Sequence, residues 1–500
     1  MMEAIAPLVV LIFGAYLSYA MGRVELVFKK KYLAAYTAIF FFISATVIQL
    51  VLALQVWDSG PLTCTVGGTM LHMDALSVLL AIITLVLGTA ICIYSVKYME
   101  NDKGQEYYYT LLLLMVAGIV GIGLATDLLV LYLFFELMSI PSFALVAFRR
   151  HEWMAIEAGM KYIVMSAVGS ALAFFGISLI YIQTHTLVFN ELADHLTTHP
   201  VLQIATVFLI AGFGVKAAIV PLHTWLPDAH SVAPSSISAM LSGIIIGAGF
   251  FTLLRALLVF TVKGIALGIG EVLIVMALIT MTVGNLMAFV QFTHQKKVEL
   301  KRILAYSSVA QMGYIILGIG VGLAYGIGLG YEGGLFHIMT HAFMKGLAFL
   351  CAGVIIHQLG TKYVDDMRGV GLSMKFTGFV FALSLLALAG IPPLSGFMSE
   401  WMIFSSSIMT YSIIGLWGIA IAAIALINTL IALGYYLPII KTMYLGAEKK
   451  KVSAARDPSW SMILAMAILA ALTIALGIWP ELGLKVVKPA VDVLMTIGGR

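Results

Sequence analysis

A lysine inside an apolar stretch is the residue of this chain whose position most directly suggests chemistry. Lys216 lies well inside an apolar run that begins near Val201, and Pro221 interrupts that run soon afterwards. A lysine at membrane depth costs roughly 3 kcal/mol on insertion scales and by default marks an ion or proton pathway. Non-helical backbone at that depth is tolerated only where it is buried in protein or lines a wet cavity. We therefore predict that Lys216 lies on a transport pathway beside a broken helix.

A glutamate in a neighbouring apolar run is the candidate partner of this lysine. Glu136 lies in LLVLYLFFELMSIPSF, and Lys161 and Lys216 are the cations that could reach it. A fixed structural ion pair is one interpretation, but buried pairs stabilise poorly relative to apolar packing. A lysine that alternates between partners releases a proton when its carboxylate is neutralised. The pattern therefore favours a switch, with Lys161 or Lys216 as its basic member.

Two histidines and a lysine share one face of a later helix. FHIMTHAFMKG places His337, His341 and Lys345 at positions i, i+4 and i+8. Two histidines at this spacing can chelate a metal, but no carboxylate follows at ligand spacing and the lysine repels a cation. Neutral histidines between water and a buried lysine suit proton transfer. We predict a proton relay here and no metal site.

Two further histidines and an acidic residue accompany the break after Lys216. His223 and His230 flank the turn predicted for WLPDA, and we predict that both are steps into the channel. Asp228 within that turn either caps a helix or has a functional role, and the sequence leaves both open.

A second glutamate is a further functional candidate, and two other charged residues are expected to have only structural roles. Glu400 lies on the second half of another proline-broken span, near its exterior end, where functional access is favoured over surface exposure. Asp127 follows Thr126 at a helix start and is expected to cap it. Arg255 lies near the outer end of its span and is expected to extend to the lipid headgroups.

The composition defines the class of protein that holds these residues. Of the 500 residues, 62% are hydrophobic and 10% are charged, and the mean hydropathy is +1.05, whereas soluble proteins carry about 25% charged residues. Cys64, Cys92 and Cys351 are far apart, and no nucleotide-binding glycine fingerprint follows a strand. We predict an all-α polytopic membrane protein that holds no cofactor, performs no redox chemistry itself and binds no nucleic acid.

The apolar runs and the basic residues predict how the chain crosses the membrane. A span needs about 20 apolar residues, which gives about fourteen spans at roughly 4–22, 34–55, 74–96, 108–125, 128–148, 156–182, 202–220, 234–259, 265–290, 303–328, 334–357, 372–404, 411–440 and 459–479. Most of the 28 Lys and Arg residues follow odd-numbered spans. By the positive-inside rule, both termini are then exterior in a multi-pass protein of the plasma membrane.

Two sequence echoes predict an internal repeat. AIVPLHTW around Pro221 is echoed by GIPPLSGF around Pro393, and GMKYIVMSAVG at Lys161 by FMKGLAFLCAG at Lys345. Each echo is displaced by five spans, and an odd displacement inverts the second copy. We predict inverted five-helix repeats of spans 4–8 and 9–13, with broken helices 7 and 12. The corresponding divisions are 1–107 (three N-terminal helices), 108–260 (first repeat), 261–441 (second repeat) and 442–500 (span 14 and a C-terminal tail).

The longest motif of the chain resembles a known superfamily. KAAIVPLHTWLPDAHSVAPSSISAMLSG, HAFMKGLAFLCAG and LALAGIPPLSGFMSEW are similar to the antiporter-like, proton-translocating subunits of respiratory complex I. The same superfamily includes the large Mrp cation/proton antiporter subunits and the corresponding membrane-bound hydrogenase subunits. The resemblance implies a fourteen-helix fold with polar residues along the midplane of the membrane.

The resemblance also implies roles for particular residues. Glu136 and Lys216 match the glutamate and lysine of the pumping pair, and Lys345 with its two histidines matches the relay of the second half. Glu400 matches the terminal charged residue of broken span 12, which is lysine in many relatives and glutamate in some.

One position departs from the family pattern. Relatives usually carry a lysine in the pattern LSG-x-x-x-K-x-G, and this chain reads LSGIIIGAG, with Gly247 in place of that lysine. Transfer between the two half-channels then relies on water or on His223 and His230, or it is weakened in this protein.

These observations favour one function and leave alternatives. The leading hypothesis is a membrane subunit of a multisubunit redox-driven complex that translocates H⁺ or exchanges Na⁺ for H⁺. Its expected partners are homologous antiporter-like and small membrane subunits, peripheral redox subunits and the lipid bilayer. The alternatives are an Mrp-type antiporter subunit without redox partners, a structural subunit with impaired conduction, and a stand-alone antiporter. The transported ion, the electron donor and the electron acceptor stay open.

Overall fold

The architecture is almost entirely helical. A computed structural model of the chain describes residues 3–29, 31–195, 199–260, 268–294, 297–445 and 450–498. Both chain ends are predicted to be exterior. Their last residues, 1–2 and 499–500, lie outside the described ranges.

The first part of the chain forms three helices and a hairpin. These elements are α1 (Ala6–Phe28), α2 (Leu33–Ser59), β1 (Leu62–Val66), β2 (Thr69–Met73) and α3 (Ala75–Tyr98).

The helices of the predicted first repeat follow. They are α4 (Gln105–Leu124), α5 (Leu128–Val146), α6 (Trp153–Thr184), α7 (Phe189–His195), α8 (Pro200–Lys216), α9 (Trp225–Val232), α10 (Ser235–Met240) and α11 (Ile246–Leu258). A π-helical turn, Leu241–Ile245, joins α10 to α11 without a break.

The remaining helices occupy the second half of the chain. They are α12 (Ile269–Thr293), α13 (Leu300–Tyr325), α14 (Gly328–Leu359), α15 (Val370–Ser373), α16 (Lys375–Leu388), α17 (Ser395–Met409), α18 (Tyr411–Ile414), α19 (Leu416–Tyr444), α20 (Lys450–Ser453), α21 (Trp460–Ile478) and α22 (Glu481–Gly498).

The membrane-crossing helices agree in kind with the sequence prediction. Within the described ranges, twelve helices are long and apolar enough to cross a membrane. Two shorter apolar helices, α8 and α16, coincide with predicted spans 7 and 12. The polytopic helical class is therefore confirmed, whereas the count of fourteen and the inverted repeat stay predictions.

Both predicted breaks are present in the backbone. The chain leaves helical geometry between Lys216 and Trp225 and again between Leu388 and Ser395. Proline has no N–H to continue a helix, and a proline-containing segment follows each helix end. In the second break Gly390 has φ +66°, a left-handed conformation that glycine adopts without a Cβ clash. The breaks thus follow from local sequence.

Three features differ from the sequence expectation. The all-α prediction omits the antiparallel hairpin of β1 and β2, whose register pairs Cys64 with Leu71. The segment taken as a tail forms the helix α22. WLPDA is not a turn, because these residues form the start of α9.

The two charges given structural roles have opposite outcomes. Asp127 caps α5 as predicted, since its carboxylate accepts a hydrogen bond from the Val130 N–H at 2.8 Å. The expectation that Arg255 extends to the headgroups is wrong. Its guanidinium is buried and donates to both Asp74 carboxylate oxygens, at 2.7 and 2.8 Å. Asp74 lies at the N-terminus of α3 and neutralises the Arg255 guanidinium inside the protein. Arg255 therefore does not have to reach the lipid headgroups to be solvated.

One helix occupies the centre of the molecule. Nearly every residue of α14 from Gly330 to Ile355 is buried, and α14 packs against α10, α13, α16, α17 and α21. By contrast, α6 and α19 expose large apolar side chains such as Ile182 and Leu416, as expected of surfaces that face lipid or a partner subunit. Polar residues on α14 are therefore shielded from the surroundings.

Candidate functional site

Lys216 is buried at the end of α8, where the helix breaks. Its side chain is 1% exposed, and its ammonium donates to Ser142 Oγ at 3.1 Å. The same ammonium lies 4.5 Å from the centre of the Tyr162 ring and 4.6 Å from that of Phe143. A cation over an aromatic face is stabilised by the ring quadrupole. The lysine is therefore held by one hydroxyl and two rings.

Glu136 lies on α5, on the same helix as the hydroxyl that binds Lys216. Its carboxylate is half-buried and accepts a hydrogen bond from Ser170 Oγ on α6. Among the described residues, neither Glu136 nor Lys216 belongs to an ion pair. The structure therefore brings the two residues into one region without a direct salt bridge.

Lys161 is not a partner of Glu136. Its side chain is 50% exposed and its ammonium lies 3.0 Å from both Glu157 and Asp228. Asp228 also accepts from Arg302 of α13 at 2.8 Å. Of the two roles left open for Asp228, helix capping is not observed, because its carboxylate binds these two cations and the N-cap residue Thr224 makes no capping hydrogen bond. These four side chains form a surface ion cluster that joins α6, α9 and α13.

The two histidines near the first break have different environments. His223 is partly buried in the irregular segment, and its Nδ1 has no hydrogen-bond partner in the protein. His230 is fully buried on α9 and stacks on Phe349 of α14, with ring centres 4.7 Å apart. Neither nitrogen of His230 has a protein partner. His230 thus lies where the two halves of the molecule meet.

The histidines of α14 form a stacked pair. The rings of His337 and His341 have centres 6.3 Å apart. His337 Nδ1 lies 2.8 Å from Ser399 Oγ and its Nε2 lies 2.8 Å from Gln311 Oε1. His341 Nε2 has no protein partner. The His337 imidazole is therefore held by two hydrogen bonds, whereas the Nε2 atom of His341 has no hydrogen-bond partner in the protein.

Lys345 completes the face of α14 predicted from the sequence. Its side chain is fully buried, and its ammonium donates to the Leu304 carbonyl at 3.2 Å, to Ser307 Oγ and to Tyr436 Oη at 3.3 Å. No described carboxylate lies within ion-pair distance of it.

Glu400 is buried on α17, after the second break. Its side chain is 2% exposed, and its Oε2 accepts from Thr429 Oγ1 at 3.1 Å. The Gln311 side chain lies beside this carboxylate and also contacts His337. Gln311 therefore connects the histidine of α14 to the glutamate of α17.

Gly247 occupies an apolar part of the interior. A Cβ atom at this position would meet only Ile338 at 3.7 Å and Ile244 at 4.0 Å, both at ordinary contact distance. Ile338 neighbours His337 in sequence on α14. Apolar side chains therefore lie next to the position at which the family resemblance implies a lysine.

Several contributors were not predicted from the sequence. Ser142, Tyr162, Ser307, Gln311 and Tyr436 bind the predicted residues. A lone amide such as Gln311 within an apolar helix is a usable signal, because buried amides require partners. Serines and tyrosines are common in membrane helices, so their types alone do not identify them.

The site also bears on metal binding. Over the part of the chain that the structure describes, no group of three or more His, Cys, Asp and Glu side chains is placed to hold a metal ion. Both nitrogens of His337 are engaged by Ser399 and Gln311. The arrangement suits the transfer of protons between hydroxyl, imidazole, amine and carboxyl groups.

Comparison with known families identifies matches over most of the chain. Residues 125–432 match the family described as NADH:quinone oxidoreductase/Mrp antiporter, TM. Residues 68–109 match the family described as NADH-Ubiquinone oxidoreductase (complex I), chain 5 N-terminus.

Individual relatives cover nearly the whole length. The chain is 32% identical over 446 residues to F(420)H(2) dehydrogenase subunit N of Methanosarcina mazei, with 86% of each chain covered. It is 31% identical to NADH-quinone oxidoreductase subunit N of Herminiimonas arsenicoxydans, with 88% of each covered. A chain of the membrane-bound sulfane sulfur reductase, an archaeal respiratory membrane complex, superposes with a TM-score of 0.88 at 26% identity, covering 100% of this chain and 99% of that one.

Proposed function

Because the chain belongs to the NADH:quinone oxidoreductase/Mrp antiporter transmembrane family, we propose that it is an ion-translocating membrane subunit of a multisubunit redox-driven complex. It moves H⁺, or exchanges Na⁺ for H⁺, through its buried lysine, histidine and glutamate residues. It performs no redox chemistry itself. The names of its relatives, which include subunits of F(420)H(2) dehydrogenase and NADH-quinone oxidoreductase, support a redox complex over an Mrp-type antiporter.

One observation carries this proposal. Lys216, Lys345 and Glu400 are each at most 2% exposed, and within the described part of the chain none of them forms an ion pair. Buried charges that serve structure are normally paired, because an unpaired one is costly. Ionisable residues at membrane depth that remain unpaired are expected to gain and lose protons.

In the first half, Lys216 exchanges its proton under the influence of Glu136. While Glu136 is charged, it favours the ammonium form of the lysine across the space between α5 and α8. When a proton reaches Glu136 through Ser170, that electrostatic support is lost and Lys216 releases its proton. Ser142, which already accepts from Lys216, is the adjacent hydroxyl through which the proton leaves.

In the second half, the relay runs along α14 towards α17. Lys345 and His341 are separated by one helical turn, and the His341 ring stacks on His337. A proton that reaches His337 passes to the Ser399 hydroxyl towards Glu400, and Gln311 holds the histidine and the carboxylate close together. Glu400 is the last charged group of this route, as the family resemblance implies.

The membrane arrangement follows the same proposal. We propose that spans 4–8 and 9–13 form inverted repeats, that both termini are exterior, and that the plasma membrane holds the complex. Homologous antiporter-like subunits, small membrane subunits and peripheral redox subunits are the proposed partners. The sequence echoes and the two helix breaks support this arrangement.

Replacement of Lys216 tests the proposal. The complex carrying Lys216→Ala is reconstituted in vesicles, and ions moved per electron are measured alongside redox turnover. We expect translocation through this subunit to be lost while assembly is retained. Lys375→Ala, which removes an exposed lysine at the start of α16, is the matched control. Unchanged pumping in Lys216→Ala would support the alternative of a structural subunit, which Gly247 motivates.

A further inference from the structure

We propose that the stacked rings of Tyr162 and Trp225 form the gate through which water reaches Lys216 from a groove between α6 and α9. This inference rests on the proposed function and assigns the residues that control access to its first-half lysine. Its components are a groove on the protein surface, two rings behind it, and the ammonium behind the rings.

The groove lies beside the surface ion cluster. It has a volume of about 690 Å³ and is lined by apolar side chains of α6, among them Trp153, Met160 and Val164. Thr224, Lys161 and Asp228 line it as well. The groove therefore combines an apolar wall with charged groups that attract water.

Two rings separate the groove from Lys216. Trp225 lines the groove but is only 1% exposed, and it stacks face to face on Tyr162 with centres 3.9 Å apart and planes 5° apart. The Tyr162 ring in turn lies 4.5 Å from the Lys216 ammonium. The order of contacts is thus groove, Trp225, Tyr162, Lys216. An apolar constriction of this kind closes a pathway by excluding water.

Hydrogen bonds attach the gate to the helix end that bears the lysine. The Trp225 Nε1–H donates to the Val215 carbonyl at 2.8 Å. Tyr162 Oη lies 3.0 Å from Ser142 Oγ, which also accepts from Lys216. The charged lysine attracts the Tyr162 ring, and a neutral lysine loses that attraction. The Trp225 stack and the Ser142 contact hold the Tyr162 ring whether or not position 216 carries a charge.

The ion cluster fixes the outer side of the gate. Asp228 lies one helical turn after Trp225 on α9, so the two residues move together. Lys161 and Arg302 bind Asp228 at 3.0 and 2.8 Å. A shift of α9 that breaks these pairs would draw Trp225 off Tyr162 and open the route from the groove.

Cysteine accessibility tests the gate in the assembled complex in its membrane. The native cysteines, Cys64, Cys92 and Cys351, are buried, so the background is low. A small water-soluble methanethiosulfonate is applied to Lys216→Cys alone, to Lys216→Cys with Trp225→Ala, and to Lys216→Cys with Trp225→Phe. Thr224→Cys reports the reactivity of the groove itself.

The expected pattern is a slow reaction at Lys216→Cys and a fast one at Thr224→Cys. Trp225→Ala should raise the rate at Lys216→Cys by about tenfold, because an aromatic pair contributes roughly that factor to an equilibrium. Trp225→Phe keeps a ring on Tyr162 and should stay near the slow rate. Should Trp225→Ala prevent assembly, Tyr162→Leu tests the same stack from its other side and should give the same increase.

Three results would overturn the gate. The first is a Lys216→Cys rate as fast as that of Thr224→Cys with Trp225 in place. The second is no change on removing either ring. The third is an unreactive Thr224→Cys, which would mean that lipid or a partner subunit fills the groove. Labelling is measured without turnover, so these results are independent of whether Lys216→Ala abolishes translocation.

Discussion

Lys161 and Lys345 stand at matching places in the two sequence echoes, yet they lie in opposite environments. Lys161 on α6 is half exposed and contacts two carboxylates. Lys345 on α14 is fully buried and contacts a carbonyl and two hydroxyls. The position of the helix explains the difference, since α6 lies at the periphery and α14 at the centre. The same motif therefore places a lysine in a surface ion cluster in one half and, in the other, a buried lysine that we propose as a pathway residue.

The largest effect should come from breaking the buried ion pair of Arg255. Arg255→Met leaves Asp74 as an uncompensated buried charge, which costs about 3–5 kcal/mol of unfolding free energy. Thermal denaturation of the purified complex measures this loss. The double variant Asp74→Asn with Arg255→Met should recover part of it, and a single variant as stable as the native protein would contradict the prediction.

Replacement of Lys345 should abolish transport with little effect on assembly. Lys345→Met retains the volume and removes a buried amine, and translocation should fall by about 10²-fold or more, which is the contribution of a positioned proton-transfer group. Ion movement per electron in reconstituted vesicles is the measurement. Full pumping in this variant would mean that Lys345 is no more a part of the pathway than Lys161.

Two glycines, one in each half, offer a third test. Gly390→Ala places a Cβ about 2.6 Å from Glu400 Oε2 at a φ of +66°, and the left-handed conformation alone costs about 1–2 kcal/mol. We expect reduced thermal stability and reduced translocation.

Gly247→Ala is the matched control for that substitution. Its Cβ meets only ordinary contacts, and alanine in a helix interior is favoured by about 0.5–1 kcal/mol over glycine. Equal or higher thermal stability and unchanged pumping are therefore expected. A similar loss in both variants would indicate that the contact with Glu400 is not responsible.

The smallest effect should follow from replacing Lys161. Exposed ion pairs contribute about 0–1 kcal/mol, so Lys161→Met should lower the free energy of unfolding by at most about 1 kcal/mol and leave pumping nearly unchanged. The assays used for Lys345→Met give a direct comparison. A loss as large as that of Lys345→Met would mean that Lys161 also belongs to the pathway.

The sequence predicted the elements that local chemistry determines. The breaks after Lys216 and Leu388 follow from proline and glycine, and the shared face of His337, His341 and Lys345 follows from helical spacing. These features require only neighbours in the chain.

Features that depend on distant neighbours were missed or misassigned. Asp74 meets Arg255 across 181 positions of sequence, and nothing in either local segment indicates that contact. Lys161 lies within a predicted span, as the apolar run around it indicates, but its exposure depends on where α6 packs. Gln311 contacts both His337 and Glu400 only because α13 packs between α14 and α17.

The π-helical turn Leu241–Ile245 sets which way the two ends of one membrane helix face. Ser242 within the turn bonds Ser308 at 2.5 Å, while Arg255 beyond it must face Asp74. A π turn contains one more residue than an α turn. Deleting one residue here would turn the rest of the helix by about 100° and carry Arg255 away from its partner. The phase of this helix is thus set by one residue that a comparison of lengths between relatives would register only as a gap.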